Sequence, residues 1–403
     1  MIAANKGEVM HSTISRVRRV ALAGASLALL LAGCAPPSPT GTDATSPPLV
    51  QTSTQPDEDP AGFDLDALIA AARTEPGITI YDQTTKVVAT AEAFAAKYGL
   101  EATGVKVELG AIDKVLKEYQ SGNVIGDVVI NEDLPAYAVE LLDQGVLVNW
   151  VPGDMKGSIK PEDQYPLIVH YGPMGWVYNS QVHSSCPVSN IWQLTDEQFN
   201  GRVAIADPLS NAKYSYWFNT MALNDDAALR SAYKELYGTE LTTDQPDAAH
   251  EWVKRFAQNN PKLTRNDEEV SEAVGAPGQQ EPSFGPISMA KFRNNAQKGY
   301  HLALCDGMKP WALQSFPSGI AYAAKTDSPN AAKLYIHYML TEEGFGIQLA
   351  DGKPSANSQV PAPDDPSHVK DFMDQMAPFP SADLVSDYRT KSEWEDFWRS
   401  SYS

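Results

Sequence analysis

The run Asp207-Pro208-Leu209-Ser210-Asn211-Ala212 joins a short apolar stretch, Val203 to Ala206, to a helical pattern that begins near Ser210. Pro208 breaks the strand, and Ser210 is placed to cap the helix. The first amides of a helix have no partner within it, and together with the helix dipole they favour a negative group. An ordinary helix cap uses the same residues. Gln83-Thr84-Thr85 follows the strand-like Ile78 to Tyr81, and Asn131-Glu132-Asp133 follows the buried-looking Asp127 to Ile130. Each sits at the carboxyl end of a candidate strand, where open α/β sheets take their ligands. Thr84 and Thr85 bring hydroxyls, Asn131 an amide, and Glu132 a carboxylate for a hydroxyl, an amine or a metal. Turn chemistry draws on these residue types as well.

Other kinds of chemistry find little support. The seven His are scattered, without metal-ligand spacing, and no nucleophile elbow, Walker loop or dinucleotide fingerprint is present. Tyr214, Tyr216, Trp217 and Phe218 suggest a stacking platform, but their spacing reads as helix core. A formal charge of −20 argues against nucleic acid, whose phosphates need Lys and Arg. No catalytic residue, cofactor or metal site is expected.

The elements that position these runs alternate. A helix from Asp64, a strand at Ile78 to Tyr81, and a helix ending at Gly99 lead to a strand expected over Val105 to Leu109. A helix from Asp113, the strand Asp127 to Ile130 and a helix capped by Asp133 complete the first series. A second series holds strands at Trp176 to Tyr178, Val203 to Ala206, around Leu263 and at His301 to Cys305. Its helices run over Ser210 to Leu223 and Asp247 to Asn259. A strand at Gly319 to Ala324 and a helix at Asn330 to Leu340 follow. This alternation predicts an α/β protein with parallel-rich sheets covered by helices. Its 403 residues favour two domains or one two-lobed unit.

The N-terminus has the form of an export signal. Arg16, Arg18 and Arg19 precede an apolar run, Val20 to Ala32, shorter than the ~20 residues of a membrane span. It ends in Leu31-Ala32-Gly33-Cys34, which resembles the bacterial lipobox, whose Cys becomes the lipidated first residue. A plain secretion signal with an incidental Cys is the alternative. Residues 1–33 are thus expected to be removed, taking away four basic and one acidic side chain and moving the charge from −20 to −23. Residues 34–60, rich in Pro, Ser and Thr, read as a disordered tether of about 30 Å reach. Cys186 and Cys305 remain. In an exported chain they form a disulfide or stay as two separate buried thiols.

Several runs together resemble the extracellular solute-binding proteins of ABC importers, of the iron(III), sugar-phosphate and phosphonate type. They are Asn190-Ile191-Trp192-Gln193-Leu194 with Gly201 to Asn211, then Phe316-Pro317-Ser318-Gly319-Ile320-Ala321, Pro329 to Leu334 and Leu340 to Gly344. Val105 to Gly110 and Gly126 to Ile130 match the same family's first lobe. The resemblance spans residues 64 to about 360. It implies a two-lobed type II periplasmic-binding-protein-like fold with hinge strands between the lobes. Lobe one would hold 62–173, lobe two 176–308, a return to lobe one 309–350, and a C-terminal helical segment 351–403. The cysteines would then lie in one lobe, making Cys186–Cys305 a reasonable staple.

The resemblance also bears on the ligand. The iron-binding members' paired Tyr falls on Met289-Ala290, and the first-lobe His of some members on Thr85, while the acidic Glu132 is kept. Ferric binding by the usual set is therefore not expected, although a metal receptor and a secreted enzyme on the same scaffold are the rival readings. The expected ligand is a small organic anion carrying a phosphate, phosphonate or carboxylate. It would be held by Thr84, Thr85, Asn131, Glu132, Asp207, Ser210, Asn211, Ala212 and Ser288, with Phe284, Pro286 and Ile287 shaping the same wall. Expected partners are ABC permease and ATPase subunits. The protein is expected to be a monomer held by its lipid to the outer face of the cytoplasmic membrane.

Lipid attachment is tested by Cys34→Ser. The variant should leave the membrane fraction or remain unprocessed. Unchanged membrane retention and unchanged mature size would refute the anchor.

Overall fold

A computed structural model of the chain describes residues 62–107 and 110–402. The expected signal peptide, Cys34 and the tether lie outside the described residues. None of the described helices is long and apolar enough to cross a membrane.

The first sheet contains β1 (Ile78–Asp82), β2 (Ala102–Lys106), β3 (Val128–Asn131), β4 (Leu147–Val148) and β5 (Ile168–His170). The second is built on β6 (Pro173–Asn179). Before its next strand the chain forms a separate two-stranded sheet, β7 (Ala204–Ala206) with β8 (Lys262–Thr264). The second sheet continues with β9 (Gly285–Ser288), β10 (Leu302–Leu304) and β11 (Leu313–Ser315). A last strand, β12 (Ser318–Ala323), belongs to the first sheet, whose order is β2-β1-β3-β12-β4 with β5 also on β12.

The expected parallel-rich sheets are in fact mixed. Pairing is parallel for β1 with β2 and β3, which helices connect, and for β7 with β8. Helical crossovers return the chain to the same end of a sheet. β12 enters from the other sheet and so runs antiparallel to β3, β4 and β5. β6 is likewise antiparallel to β9, β10 and β11. A bridge between Val203 and Phe284 joins the β7–β8 pair to the entrance of β9.

Three expected boundaries move. The strand placed at Val105 to Leu109 runs over Ala102–Lys106, with residues 108 and 109 outside the described residues, and Gly104 in it lies under the helix Lys86–Tyr98. A Cβ there would come within 2.2 Å of the Val87 carbonyl oxygen. The return to the first sheet, expected from residue 309, comes at Ser318, since Leu313–Ser315 still pairs with Gly175–Pro173. The C-terminal segment is helical mainly in Leu384–Ser401; residues before it form short 3-10 turns and extended chain.

Both faces of the first sheet are covered. Ile80, Val128, Ile130 and Ile320 pack on one side with Phe94, Tyr335 and Tyr338. Tyr81, Val129 and Ala321 pack on the other with Tyr137 and Leu141. Burial on both faces explains why these strands read as continuous apolar runs. The core beside the second sheet is rich in Trp. Trp192 and Trp252 donate their indole N–H groups to the carbonyls of Leu229 and Ile191 at 2.9 and 3.0 Å. Cys186 and Cys305 are bonded, with Cα atoms 5.2 Å apart. They join the loop after β6 to the end of β10.

The helix Leu384–Ser401 crosses between the cores. Leu384 packs with Tyr137 and Leu141, whereas Trp394 and Trp398 pack with Trp217 and Phe218. In its first turn Asp387 Oδ1 accepts a hydrogen bond from Asn219 Nδ2 at 2.6 Å, and Asn219 Oδ1 accepts the indole N–H of Trp394, two turns on, at 3.2 Å. Asp387 Oδ2 is buried and unpartnered among the described residues. Burial pushes the carboxyl pKa up to about 7, against the opposing Asn219 bond.

The sign of the consequence is fixed. The folded state holds this proton more tightly than the unfolded chain, so this carboxyl's contribution to stability falls as pH rises from about 4 to about 7. The full loss is at most about 4 kcal/mol. Asp387→Asn keeps an acceptor for Asn219 and removes the titration. It should be more stable than wild type at pH 8, and its urea midpoint should vary less between pH 4.5 and 8. An unchanged pH dependence would refute the assignment.

Candidate functional site

The loops that close β1 and β3 are built from side chain to backbone bonds. Asp82, at the end of β1, accepts from the Thr84 amide at 3.3 Å. Its burial pushes its pKa up to about 6, with nearby Lys353 acting in the opposite direction. Gln83 Oε1 accepts from the Glu132 amide at 2.9 Å and ties the two loops together. Asn131 Oδ1 accepts from the Asp133 amide at 2.7 Å, and Asp133 caps the helix starting at Leu134, with Pro135 in its first turn. Asn131 is buried behind this turn, whereas Glu132 is exposed at its crest.

On the facing side, the turn after β7 differs from the sequence expectation. The helix is Ala212–Asn224 and its cap is Asn211, whose Oδ1 accepts from the Lys213 amide at 3.4 Å; Ser210 is not the cap. The reason is Asp207. Its carbonyl accepts the amides of Ser210 and Asn211, each at 3.0 Å, and the Ser210 hydroxyl at 3.2 Å, while its carboxylate accepts the Leu209 amide. This winds an extra turn ahead of the helix and occupies the Ser210 and Asn211 amides, two of the three expected to face an anion. The Ala212 amide is left without a hydrogen-bond partner among the described residues.

Lys213 follows directly. Its amine is 2.8 and 3.0 Å from the two oxygens of Asp267, and Asp267 Oδ2 accepts from the Ser288 amide at 3.2 Å. Burial disfavours the charge on Lys213, but Asp267, Tyr214 and Glu132 overcome that and raise its pKa. Below it, burial acts against ionisation of Glu268, yet hydrogen bonds from Lys291 and Lys298 bring its pKa down to about 2. Arg293 pairs with Asp351 at 3.3 Å, and Lys86 approaches the same carboxylate at 3.8 Å. Lys353 has no ion-pair partner among the described residues.

These groups line two adjoining cavities. A charged one of about 540 Å³ is lined by Thr84, Thr85, Lys106, Ser288, Arg293 and Lys353, among others. An aromatic one of about 320 Å³ is lined by Ser210, Ala212, Trp217, Trp311, Gln314 and Phe379, among others. Gln83, Glu132, Asn211, Lys213 and Phe316 line both. These volumes are in the range of small-molecule sites. Between the facing elements here the Tyr216 hydroxyl donates to Asp133 Oδ1 at 2.9 Å.

Of the residues singled out from sequence, Thr84, Thr85, Glu132, Asn211 and Ser288 line the charged cavity. Glu132, Ser210, Asn211 and Ala212 line the aromatic one. Asn131 and Asp207 line neither and serve the turns behind. Phe284 and Ile287 are core, Phe284 against His183 and Phe199 and Ile287 in β9 beside β6, and Pro286 lines neither cavity. At the positions matching the iron ligands, Met289 is buried and Ala290 lines the charged cavity. The aromatic group divides: Tyr214 and Phe218 are core, but Tyr216 and Trp217 also line the aromatic cavity. Sequence reasoning missed Lys213, Arg293, Lys353, Trp311, Gln314 and Phe379. Lys213 is adjacent to a singled-out turn, and Phe316 lies in a quoted run. Nothing local marks Phe379.

A family profile described as bacterial extracellular solute-binding protein matches residues 79–352. Among solved structures, the chain is similar to iron-bound HitA from Pseudomonas aeruginosa, with TM-score 0.58 and 18% identity over 81% of this chain and 99% of that one. It is similar to AfuA from Actinobacillus pleuropneumoniae with exogenous fructose-6-phosphate bound, with TM-score 0.60 and 17% identity over 80% and 99%. It is similar also to the substrate binding protein of the ABC transporter from Agrobacterium tumefaciens, with TM-score 0.61 and 14% identity over 83% and 97%. No curated protein matched the sequence. At these identities the likeness establishes the two-lobed type II periplasmic binding fold. With that fold, a cleft of ligand size and a family match over more than half its length, the chain belongs to the bacterial extracellular solute-binding proteins.

Proposed function

We propose that this protein is the substrate-binding component of an ABC importer and that its ligand is a small organic molecule with an acidic group. The lobes are read as 62–173 and 176–308, with the chain returning to the first after the second crossing. Export, lipid attachment at Cys34 and a monomeric state complete the reading, as do membrane partners of the permease and ATPase kind. The protein binds and releases its solute without turnover.

One observation carries the ligand class. Lys213, Arg293 and Lys353 come from three separate parts of the chain and line one compartment, in a protein of formal charge −20. Glu132, Asp267, Glu268 and Asp351 line the compartment too, but its five cations, with Lys106 and Lys291, exceed these four carboxylates, and acidic groups elsewhere are screened by salt beyond about 10 Å. Lys213 and Arg293 are held in place by Asp267 and Asp351, which leaves Lys353 the most available charge. A ligand touching both the loops after β1 and β3 and the turn after β7 binds the closed arrangement better than an open one. That difference shifts the population toward closure.

The test begins with mass spectrometry of small molecules released from the purified, denatured protein. The released molecule should carry a phosphate, phosphonate or carboxylate. Lys353→Glu, checked for folding by circular dichroism, should then weaken its binding at least tenfold by calorimetry, about 1.4 kcal/mol. A released ferric ion, a ligand without an acidic group, or an unchanged affinity in the variant would overturn the reading.

A further inference from the structure

The aromatic compartment is more than the rim of the charged one. Its walls come from three distant parts of the chain, with Trp311 and Phe316 flanking β11. Trp217 is on the helix after β7, Trp311 precedes β11, Phe316 is in the crossing to β12, and Phe379 is in the C-terminal segment. Trp217 is only 5% exposed and is backed edge-on by Trp252 at 5.5 Å. Trp311 packs against the Trp-rich core. Rings held this way offer flat apolar surface without the entropy cost of ordering it on binding.

The outer wall is anchored at both ends. The Ala377 amide donates to the Leu313 carbonyl at 3.0 Å, beside a bridge between Leu313 and Met376. The Ser381 hydroxyl donates to the Glu162 carbonyl at 2.8 Å. Residues 377–381 therefore run from β11 of the second sheet to the loop ahead of β5 of the first, with Phe379 facing the compartment between these two anchors. This segment lies beyond residue 352, where the family match ends. The wall is thus built by chain that the shared family region does not supply.

A second observation points to an occupant. Gln314 and Ser315 line the compartment, are 6% and 8% exposed, and have Oε1 and Oγ respectively without a hydrogen-bond partner among the described residues. A buried polar atom left unpaired costs about 1–3 kcal/mol, so such atoms are usually met by a partner.

We propose that this compartment binds a flat apolar ring carrying a polar substituent, attached to the acidic group held in the neighbouring compartment, and that residues 377–379 set the preference for that ring. The ring lies against Trp217, Trp311 and Phe379, and its substituent meets Gln314 and Ser315. Phe316 and Lys213 mark the junction, with the Lys213 amine 6.0 Å from the Phe316 ring centre. The inference rests on reading the charged compartment as an acid site.

The test uses the processed full chain and two probe pairs, phenyl phosphate with methyl phosphate and 4-hydroxyphenylacetate with acetate, followed by calorimetry and tryptophan fluorescence. In at least one pair the ring-bearing member should bind tenfold or more tightly. Phe379→Ala and Trp311→Ala should bring that ratio below threefold, and Phe379→Leu, which keeps bulk but loses the ring, should fall between. Circular dichroism and thermal melting verify folding, and the partly exposed Phe379 makes its variants the decisive ones. If the small acids bind and the ring adds less than threefold in both pairs, this inference fails while the acid reading stands. If neutral benzyl alcohol binds as tightly as the ring-bearing acids and Phe379→Ala abolishes it, the ring site stands and the acid reading fails. A ring preference that survives Phe379→Ala, or no binding of any probe, overturns the proposal.

Discussion

Two passages of chain between the sheets run side by side, and the cleft exists because they do. Tyr171-Gly172 carries the chain from β5 to β6, and Phe316-Pro317 brings it back from β11 to β12. The Phe316 amide donates to the Gly172 carbonyl at 3.0 Å. At Gly172 a Cβ would come within 2.4 Å of the Phe316 carbonyl oxygen, so no larger residue fits there without displacing the second passage. This close contact holds together the entrances of β6 and β12, each in its own sheet. It also sets the loops after β1 and β3 opposite the turn after β7. Phe316, next to the contact, then lines both cavities.

Charge is arranged on two scales. The chain as a whole is strongly acidic, yet Lys106, Lys213, Lys291, Arg293 and Lys353 meet at one compartment. Most of these cations are held by carboxylates that lie beside them: Asp267 for Lys213, Glu268 for Lys291 and Asp351 for Arg293. Pairing of this kind fixes long side chains in one place and limits the cost of removing them from water. It also means that the site's field comes from a few groups in place rather than from net charge.

The C-terminal segment has structural work on both sides of the molecule. Leu384 joins the core next to Tyr137, Trp394 and Trp398 join the Trp-rich core, and the segment before the helix closes the aromatic compartment. A helix packed on both cores resists their separation. Any movement about the Gly172–Phe316 passage must therefore be accommodated by this helix or by the turns that lead into it. The buried Asp387–Asn219–Trp394 network ties the first turn and the middle of that helix to the helix after β7, and a polar group held there without water is expensive.

The alternation of apolar strands and periodic helices was enough to read an α/β chain, because strands covered on both faces and helices covered on one leave distinct local patterns. The turns after β1, β3 and β7 were legible for the same reason: Thr84, Glu132 and Asn211 follow directly on a recognisable strand, and strand ends are where such folds place ligands. Local pattern could not say which amides those turns keep for themselves. Asp207 consumes those of Leu209, Ser210 and Asn211, a matter of how the backbone winds rather than of residue type. Nor could it orient β12 or keep β11 in the second sheet, since strand direction and pairing are decided by where a passage between sheets enters. Lys353, Trp311 and Phe379 lie far apart in sequence and only tertiary packing brings them to one cleft. The sequence by itself determined the elements and the loops at their ends, because hydrophobic period and turn chemistry are local. The tertiary structure alone decided which distant charges and rings share a cavity, because that depends on the crossing passages and on a C-terminal segment held across both sheets.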